Sequence, residues 1–153
     1  MTVNSVNEKN TETVEIADAL RPSLLRLARE LRREARPEGV SPGQVALLVS
    51  IKYDPGITAA KLATRERVSA AAMSKTVARL EHDGLVERTP STTDRRRVGL
   101  ALTAAGQRTL RRVRSRRTAW LVERLRGLDP EDLAAIEAAA GPLSRLLQQG
   151  EGR

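Results

Sequence analysis

One stretch of the chain, residues 69–103, constrains the fold more than any other. It opens with an amphipathic helical pattern whose apolar face carries Met73, Val77 and Leu80. The pattern ends at Gly84, because glycine readily adopts the left-handed conformation that closes a helix. A short apolar strand over 85–88, a basic loop and a second apolar strand over 98–102 follow. Helix, strand, basic loop and strand in this order predict a winged helix-turn-helix, with the loop as its wing.

Two shorter helices are predicted ahead of this stretch. Ser41 and Gln44 have the spacing of a capping box at the start of the first, and Thr58 is placed to cap the second. Ser69 is placed to cap the amphipathic helix in the same way. The residues predicted to face the core from the first helix are Val45, Leu47, Leu48 and Ile51. Short helices joined by tight turns are the helix-turn-helix arrangement.

The opposite face of the amphipathic helix carries small residues and two cations. Its members are Ala71, Ser74, Lys75, Ala78 and Arg79. A surface of this kind lets a DNA duplex approach closely, and hydroxyls, cations and alanine methyls all match groups on base edges in the major groove. An ordinary solvated surface helix is the alternative interpretation.

The loop between the strands contains Asp94, Arg95, Arg96 and Arg97. Three consecutive arginines repel one another unless an anion lies nearby, and Asp94 can hold one of them in a bidentate pair. The others are then expected to reach phosphates or the minor groove. Arg88, at the end of the predicted first strand, joins the candidate DNA-binding residues. A solvated turn is the alternative.

Composition agrees with an anionic partner. The chain has 27 Lys and Arg against 19 Asp and Glu, a formal net charge of +8, and such a balance favours nucleic acid or an anionic membrane surface. An arginine excess also arises from a GC-rich genome. With no cysteine and a single histidine, His82, disulfides and thiol sensing are excluded, and no metal or other cofactor is expected. No apolar run is long enough to span a membrane, and no signal peptide is evident, so a cytoplasmic protein is predicted.

The flanking segments are predicted to be helical, in a mainly α chain with one small β-hairpin. We expect a disordered tail over 1–11, an N-terminal dimerisation helix over 12–38, the winged domain over 41–103, and a long helix plus a C-terminal dimerisation helix over 104–149. Proline 22 is expected to kink or split the first helix. The candidate dimerisation residues are Leu20, Leu24, Leu133, Ile136, Leu143 and Leu147. Their apolar stripes exceed what a small winged domain needs to bury, although the helices could instead fold back on their own subunit.

The long helix, expected to end near Leu128, carries six arginines in its first half. They point around the whole helix axis, so they cannot all serve one interface. Two roles stay open for them: extending the positive field near DNA, or lining a cavity between subunits. These arginines are Arg108, Arg111, Arg112, Arg114, Arg116 and Arg117.

Two motifs resemble the MarR family of bacterial transcription regulators. The run from Met73 to Arg88 resembles that family's recognition helix and first wing strand. Asp94-Arg95-Arg96, then five residues, then Leu102-Thr103 is similar to its wing signature. The resemblance implies a homodimer that binds pseudo-palindromic duplex DNA, mostly as a repressor, and that a small anionic effector releases.

By the same resemblance, Ser74, Lys75 and Arg79 would enter the major groove. Arg95 and Arg96 would act at the minor groove and its phosphates, with Asp94 bracing the wing. The competing interpretation is a sequence-independent architectural DNA-binding protein. RNA binding is disfavoured because Trp120 and Tyr53 are the chain's only aromatic residues apart from His82. No catalytic constellation appears, so the protein is not expected to be an enzyme.

Overall fold

The computed structural model describes residues 3–91 and 96–148. This part of the chain is mainly helical with one two-stranded antiparallel hairpin, as the sequence predicts. The chain divides into two compact units, Met1–Arg117 and Thr118–Arg153. In order, the elements are α1 (Val3–Arg33), a 3₁₀ turn (Arg36–Glu38), α2 (Pro42–Tyr53), α3 (Ala59–Arg65), α4 (Ala70–His82), β1 (Val86–Pro90), β2 (Val98–Leu102), α5 (Ala104–Leu125) and α6 (Pro130–Gln148).

The helix starts form as the capping rules predict. Ser41 Oγ accepts from the Gln44 amide, and the Gln44 side chain accepts from the Ser41 amide, which completes the capping box of α2. Thr58 caps α3 and Ser69 caps α4 through their hydroxyl oxygens. Thr103 caps α5 by accepting from the Gly106 amide at 3.0 Å. Each cap satisfies a backbone N–H that the helix itself leaves without a partner.

The turn between α3 and α4 has a backbone conformation that the sequence does not predict. Arg67 has a φ of +54°, the only positive φ among the described non-glycine residues. The Val68 amide donates to the Ala63 carbonyl at 3.0 Å, the six-to-one bond of a Schellman ending. Glycine is the usual residue at this position, so arginine here carries some backbone strain. The turn nevertheless sets the angle between the two helices.

The core of the first unit lies among α2, α3, α4 and the hairpin. The four residues predicted to face inward from α2 are all buried, and so are Met73, Val77 and Leu80 of α4. From α5, Val113 is buried at 1% exposure. The winged domain therefore has its own apolar core, and α4 is fixed on it by a complete buried face.

The hairpin extends beyond its two strands. Val86 pairs with Leu102 and Pro90 with Val98 at its two ends. Ile57, which precedes α3, also bridges to Leu100 of β2. Two hydrogen bonds on this side join the main chains: Gly56 N–H to the Leu100 carbonyl at 2.8 Å, and Leu100 N–H to the Ile57 carbonyl at 3.0 Å. The wing is thereby attached to the segment between α2 and α3.

Two predictions about α1 differ from the structure. The helix begins at Val3, so most of the predicted tail lies inside it, and it continues past Pro22 as one element, so the helix is not split there. Residues 11–27 are exposed throughout. Water can therefore satisfy the single carbonyl that loses its donor at the proline, and the helix does not have to break there.

Two predicted boundaries also shift by a few residues. The first strand is Val86–Pro90, not 85–88, because the Leu85 amide closes the end of α4 by donating to the Leu80 carbonyl at 2.9 Å. Helix α5 ends at Leu125, three residues before the predicted end. There the chain leaves the helical hydrogen-bond pattern, with Gly127 N–H bonded to the Arg124 carbonyl.

In the second unit, α6 starts where Asp129 caps it, with Asp129 Oδ1 accepting from the Asp132 amide at 2.9 Å. The helix continues through Pro142 as one element. None of its described residues is buried. Leu133 is 43% and Ile136 48% exposed, so this part of the apolar stripe of α6 is open to solvent in the residues that the structure describes.

Candidate nucleic-acid interface

Helix α4 presents the small-residue face that the sequence predicts. All five of its members, Ala71, Ser74, Lys75, Ala78 and Arg79, are exposed. Its buried face fixes the rotation of the helix about its axis. This surface is thus held rigidly toward solvent and is free to enter a DNA groove.

The polar side chains on and beside this face differ in whether they already interact with other residues of the protein. Lys75 forms no ion pair with any described residue. Arg79, whose side chain is 77% exposed, has its Nε 3.9 Å from Asp83 Oδ2, a long and solvated contact. The Thr76 hydroxyl, next to the face, donates to the Ala72 carbonyl of its own helix at 3.0 Å. Lys75 and Arg79 are therefore the cations available to a ligand on α4.

Arg88 is committed to a contact inside the protein. Its Nε lies 2.7 Å from Glu81 Oε1, and its Nη2 donates to Glu81 Oε2 at 3.0 Å. This bidentate pair joins β1 to the end of α4. Arg88 is one of the residues predicted to bind DNA, and the sequence gives no sign of a partner across the helix-to-strand turn. The geometry suits a residue that positions the wing relative to α4.

The base of the wing is held by close backbone packing. A Cβ added to Gly99 would lie 2.3 Å from the Gly56 carbonyl oxygen, so only glycine fits there. Beyond β1, the Ser91 amide donates to the Arg97 carbonyl at 2.8 Å, which continues the hairpin by one rung. Arg96 and Arg97 are exposed. The predicted roles of Asp94 and Arg95 fall outside the described residues.

Three of the six arginines in the first half of α5 hold the helix against the end of α1 and the 3₁₀ turn. This contact was not predicted, because the partners are 74 to 86 residues apart in sequence. The pairs are Arg112 with Glu38, Arg116 with Glu34 at 3.6 Å, and Arg117 Nε donating to the Leu31 carbonyl at 3.1 Å. These three arginines therefore have structural partners. Arg108, Arg111 and Arg114 are exposed and form no ion pair with a described residue.

A cavity of about 570 Å³ lies between α2, the end of β2 and the first half of α5. Ile51, Leu102 and Leu110 supply apolar walls, and the cations at its rim include Arg111 and Arg114. Its full lining is Ile51, Lys52, Pro55, Ala101, Leu102, Gln107, Leu110, Arg111 and Arg114. Apolar walls with a cationic rim suit a small amphipathic anion.

The described ranges contain no cluster of three or more His, Asp or Glu side chains that could hold a metal ion. Within the same ranges, no helix combines the length and the apolar character needed to cross a membrane.

Comparison with known proteins identifies the family. The sequence model of the MarR family matches residues 40–98, which include α2, α3, α4 and β1. An uncharacterized HTH-type transcriptional regulator of Mycobacterium leprae is 31% identical over 134 residues, covering 88% of this chain and 94% of that protein. The HTH-type transcriptional repressor MdtR of Bacillus subtilis is 28% identical over 122 residues, covering 80% of this chain and 79% of that protein.

Solved structures agree in fold. The crystal structure of a transcriptional regulator from Thermotoga maritima superposes with a TM-score of 0.74 at 26% identity, covering 91% of this chain and 98% of that one. A winged domain with an exposed face on α4, the matching family model and a relative aligned over 94% of its own length lead to one conclusion: the chain belongs to the MarR family of HTH-type transcriptional regulators.

Proposed function

We propose that the protein represses transcription by binding a pseudo-palindromic DNA operator as a homodimer. The exposed face of α4 carries this proposal, since a rigid helix with small residues and two available cations suits the major groove. Ser74, Lys75 and Arg79 are assigned to base edges. Arg95, Arg96 and Arg97 are assigned to the phosphates and minor groove beside them, with Asp94 bracing the loop.

Repression is favoured over activation by one relative in particular, since MdtR of Bacillus subtilis is described as a repressor. A bound dimer would exclude RNA polymerase wherever its operator overlaps a promoter. Two-fold symmetry would place the half-sites about 10 bp apart, one turn of the duplex.

Homodimerisation is supported by apolar side chains that stay exposed on the terminal helices. On α1, Leu20 and Leu24 are 38% and 41% exposed. On α6, Leu147 reaches 77%, while Leu143 is half-buried. Exposed apolar stripes on neighbouring turns of a helix are normally covered by a partner. A second copy of the chain is the partner that a palindromic operator requires.

Ile136→Glu is expected to convert the dimer to monomer at micromolar concentration. A symmetric interface would bury the new carboxylate twice, and an unpaired buried charge costs several kcal/mol, so the dimer should weaken by at least about 100-fold. Sedimentation equilibrium measures the change. Ala138→Glu adds the same charge to the same helix outside the apolar stripe and should leave the dimer intact. Equal dissociation constants for both variants would contradict the assigned seam.

We further propose that the cavity beside α5 takes a small amphipathic anion that lowers DNA affinity. It touches α2, the end of the wing strand β2 and α5, so an occupant would contact both the wing support and the helix that leaves the winged domain. A ligand releases DNA only if it binds the two conformations with different affinity, so the proposal requires this cavity to differ between the free and the DNA-bound protein.

The double variant Arg111→Ala/Arg114→Ala is expected to lose the response to such an anion. Benzoate is the probe: it should raise the melting temperature and weaken operator binding of the wild type in a saturable way. The double variant should require at least about tenfold more benzoate, because two of the three cations that line the cavity are gone. Arg126→Ala/Arg145→Ala lowers the net charge equally and serves as the control. An identical benzoate response in all three proteins would exclude this cavity.

The first test of the proposed function is binding to a duplex from the gene's own upstream region and to a scrambled duplex, at about 150 mM salt. A preference of roughly 10³ or more is expected of a specific regulator. Binding selected from fragmented genomic DNA covers operators elsewhere. Equal, steeply salt-dependent affinity for every duplex would instead support the architectural alternative.

A further inference from the structure

We propose that α4 reads its operator chiefly through the C5-methyl groups of thymines, so that each half-site contains thymines facing Ala71 and Ala78. This inference rests on the proposed function and specifies the kind of DNA sequence that the same site selects. Two observations support it. The exposed face of α4 is rich in methyl groups, and some polar groups of the helix are already hydrogen-bonded within it.

Methyl groups dominate the exposed side of the helix. Ala71, Ala72 and Ala78 are all exposed. At 100° per residue, Ala71, Lys75 and Ala78 lie on one line that faces away from the buried residues of the helix. A duplex seated on α4 would thus meet alanine methyls on both sides of the lysine.

Few side chains of α4 are available to form hydrogen bonds with DNA bases. The Ser69 hydroxyl oxygen accepts from the Ala72 amide as the helix cap, and the Thr76 hydroxyl donates to the Ala72 carbonyl. Neither hydroxyl lies on the line of Ala71, Lys75 and Ala78 that faces the groove. Direct hydrogen-bond readout is left to Ser74, Lys75 and Arg79. None of these is an Asn or Gln that could pair bidentately with adenine.

The chemistry of the major groove then decides what the helix can distinguish. The thymine methyl is the one apolar group that base pairs present there. Alanine side chains are short, so the helix can lie deep enough for methyls to touch. Lysine between them suits the O6 and N7 acceptors of guanine. We therefore expect half-sites in which thymines flank a G·C pair.

The test begins with the wild-type protein and a pool of random-sequence duplexes, from which bound sequences are enriched. Each thymine of the enriched half-site is then replaced by uracil, which removes only the methyl group. Removing one contacted methyl should weaken binding about fourfold, and removing the symmetry-related pair about fifteenfold. Uracil at flanking positions outside the half-sites is the control and should have no effect.

The outcomes separate this inference from the proposed function. A pool that yields no enriched sequence would overturn the proposed function and the inference together. An enriched sequence without thymine in its half-sites, or one that binds equally well with uracil, would overturn the inference alone and leave a sequence-specific regulator.

Combining a protein substitution with the uracil replacement identifies the residue that contacts the thymine methyl group. Ala71→Gly removes the protein methyl, so its affinity should no longer depend on whether the facing base is thymine or uracil. The helix destabilisation that glycine causes is the same on both duplexes and cancels in the comparison. Ala138→Gly, the matched change in α6, should keep the full fourfold preference for thymine. A preference that survives Ala71→Gly at every thymine of the half-site would exclude Ala71 as the reading residue.

Discussion

Replacing Gly106 with alanine is expected to lower the free energy of unfolding by about 2–4 kcal/mol. A Cβ at this position would lie 2.1 Å from the Leu85 carbonyl oxygen and 3.1 Å from its carbonyl carbon. The obstructing atoms are backbone, so no rotamer change can make room. Either α5 or the start of the wing has to move.

Two effects of this substitution oppose each other. Alanine favours helix over glycine by about 1 kcal/mol, which alone would stabilise α5. The displaced segment, however, also carries Thr103, whose hydroxyl donates to the Gly84 carbonyl at 2.6 Å and accepts from the Gly106 amide. A shift of α5 therefore strains its own cap and the turn that ends α4. The steric and hydrogen-bond losses exceed the gain in helix propensity, and the net sign is destabilising.

Gly43→Ala is the matched control for the same substitution in another helix. Gly43 lies in the first turn of α2, and the nearest atom to an added Cβ is Ser41 Oγ at 4.0 Å. Here only helix propensity should act, so stability is expected to stay equal or to rise by up to about 1 kcal/mol. Thermal and urea unfolding at a fixed protein concentration measure both variants, because dimerisation makes the melting temperature depend on concentration. Equal stabilities of the two variants would show that α5 does not approach Leu85 as described.

Gly106 and Gly43 also illustrate which structural features can be predicted from the sequence. Caps, helix starts and the apolar face of α4 were predictable, because they depend on residues at most four positions apart. Ser41 with Gln44 is one such pair. Nothing local distinguishes Gly106 from any other helical glycine, since the atom that requires it belongs to a residue 21 positions earlier.

The same limit applies to charge. The sequence shows six arginines in the first half of α5, but the pairing of Arg112 with Glu38 depends on bringing together residues 74 positions apart. Arg88 is among the residues predicted to bind DNA, whereas its bidentate pair with Glu81 exists only once the helix and strand have packed. The sequence shows the charge of Arg88 but not this partner within the protein. The exposed face of α4 is predictable from the sequence, because helical periodicity fixes which residues lie on it.

Alanine replacement of both Arg95 and Arg96 in the wing is expected to weaken binding to every duplex about thirtyfold at 150 mM salt, if each contacts one phosphate. Each phosphate contact releases condensed counterions, so the plot of log affinity against log salt should lose about one unit of slope per arginine removed. Specific and scrambled duplexes should be affected alike, because phosphate contacts carry no base information. This uniform loss distinguishes the wing from α4, where losses should depend on sequence.

The comparison needs a control for net charge, because removing two cations weakens attraction to DNA from any position on the protein. Arg126→Ala/Arg145→Ala removes the same charge from the second unit, and its long-range effect should be small at 150 mM salt, where charges more than about 8 Å apart are largely screened. A salt slope that falls in the wing variant and not in the control would identify direct contacts. Unchanged affinity and slope in the wing variant would remove the wing from the interface and leave α4 as its sole anchor. A loss confined to the specific duplex would instead assign Arg95 or Arg96 to base readout in the minor groove, where width and A·T content are what arginine senses.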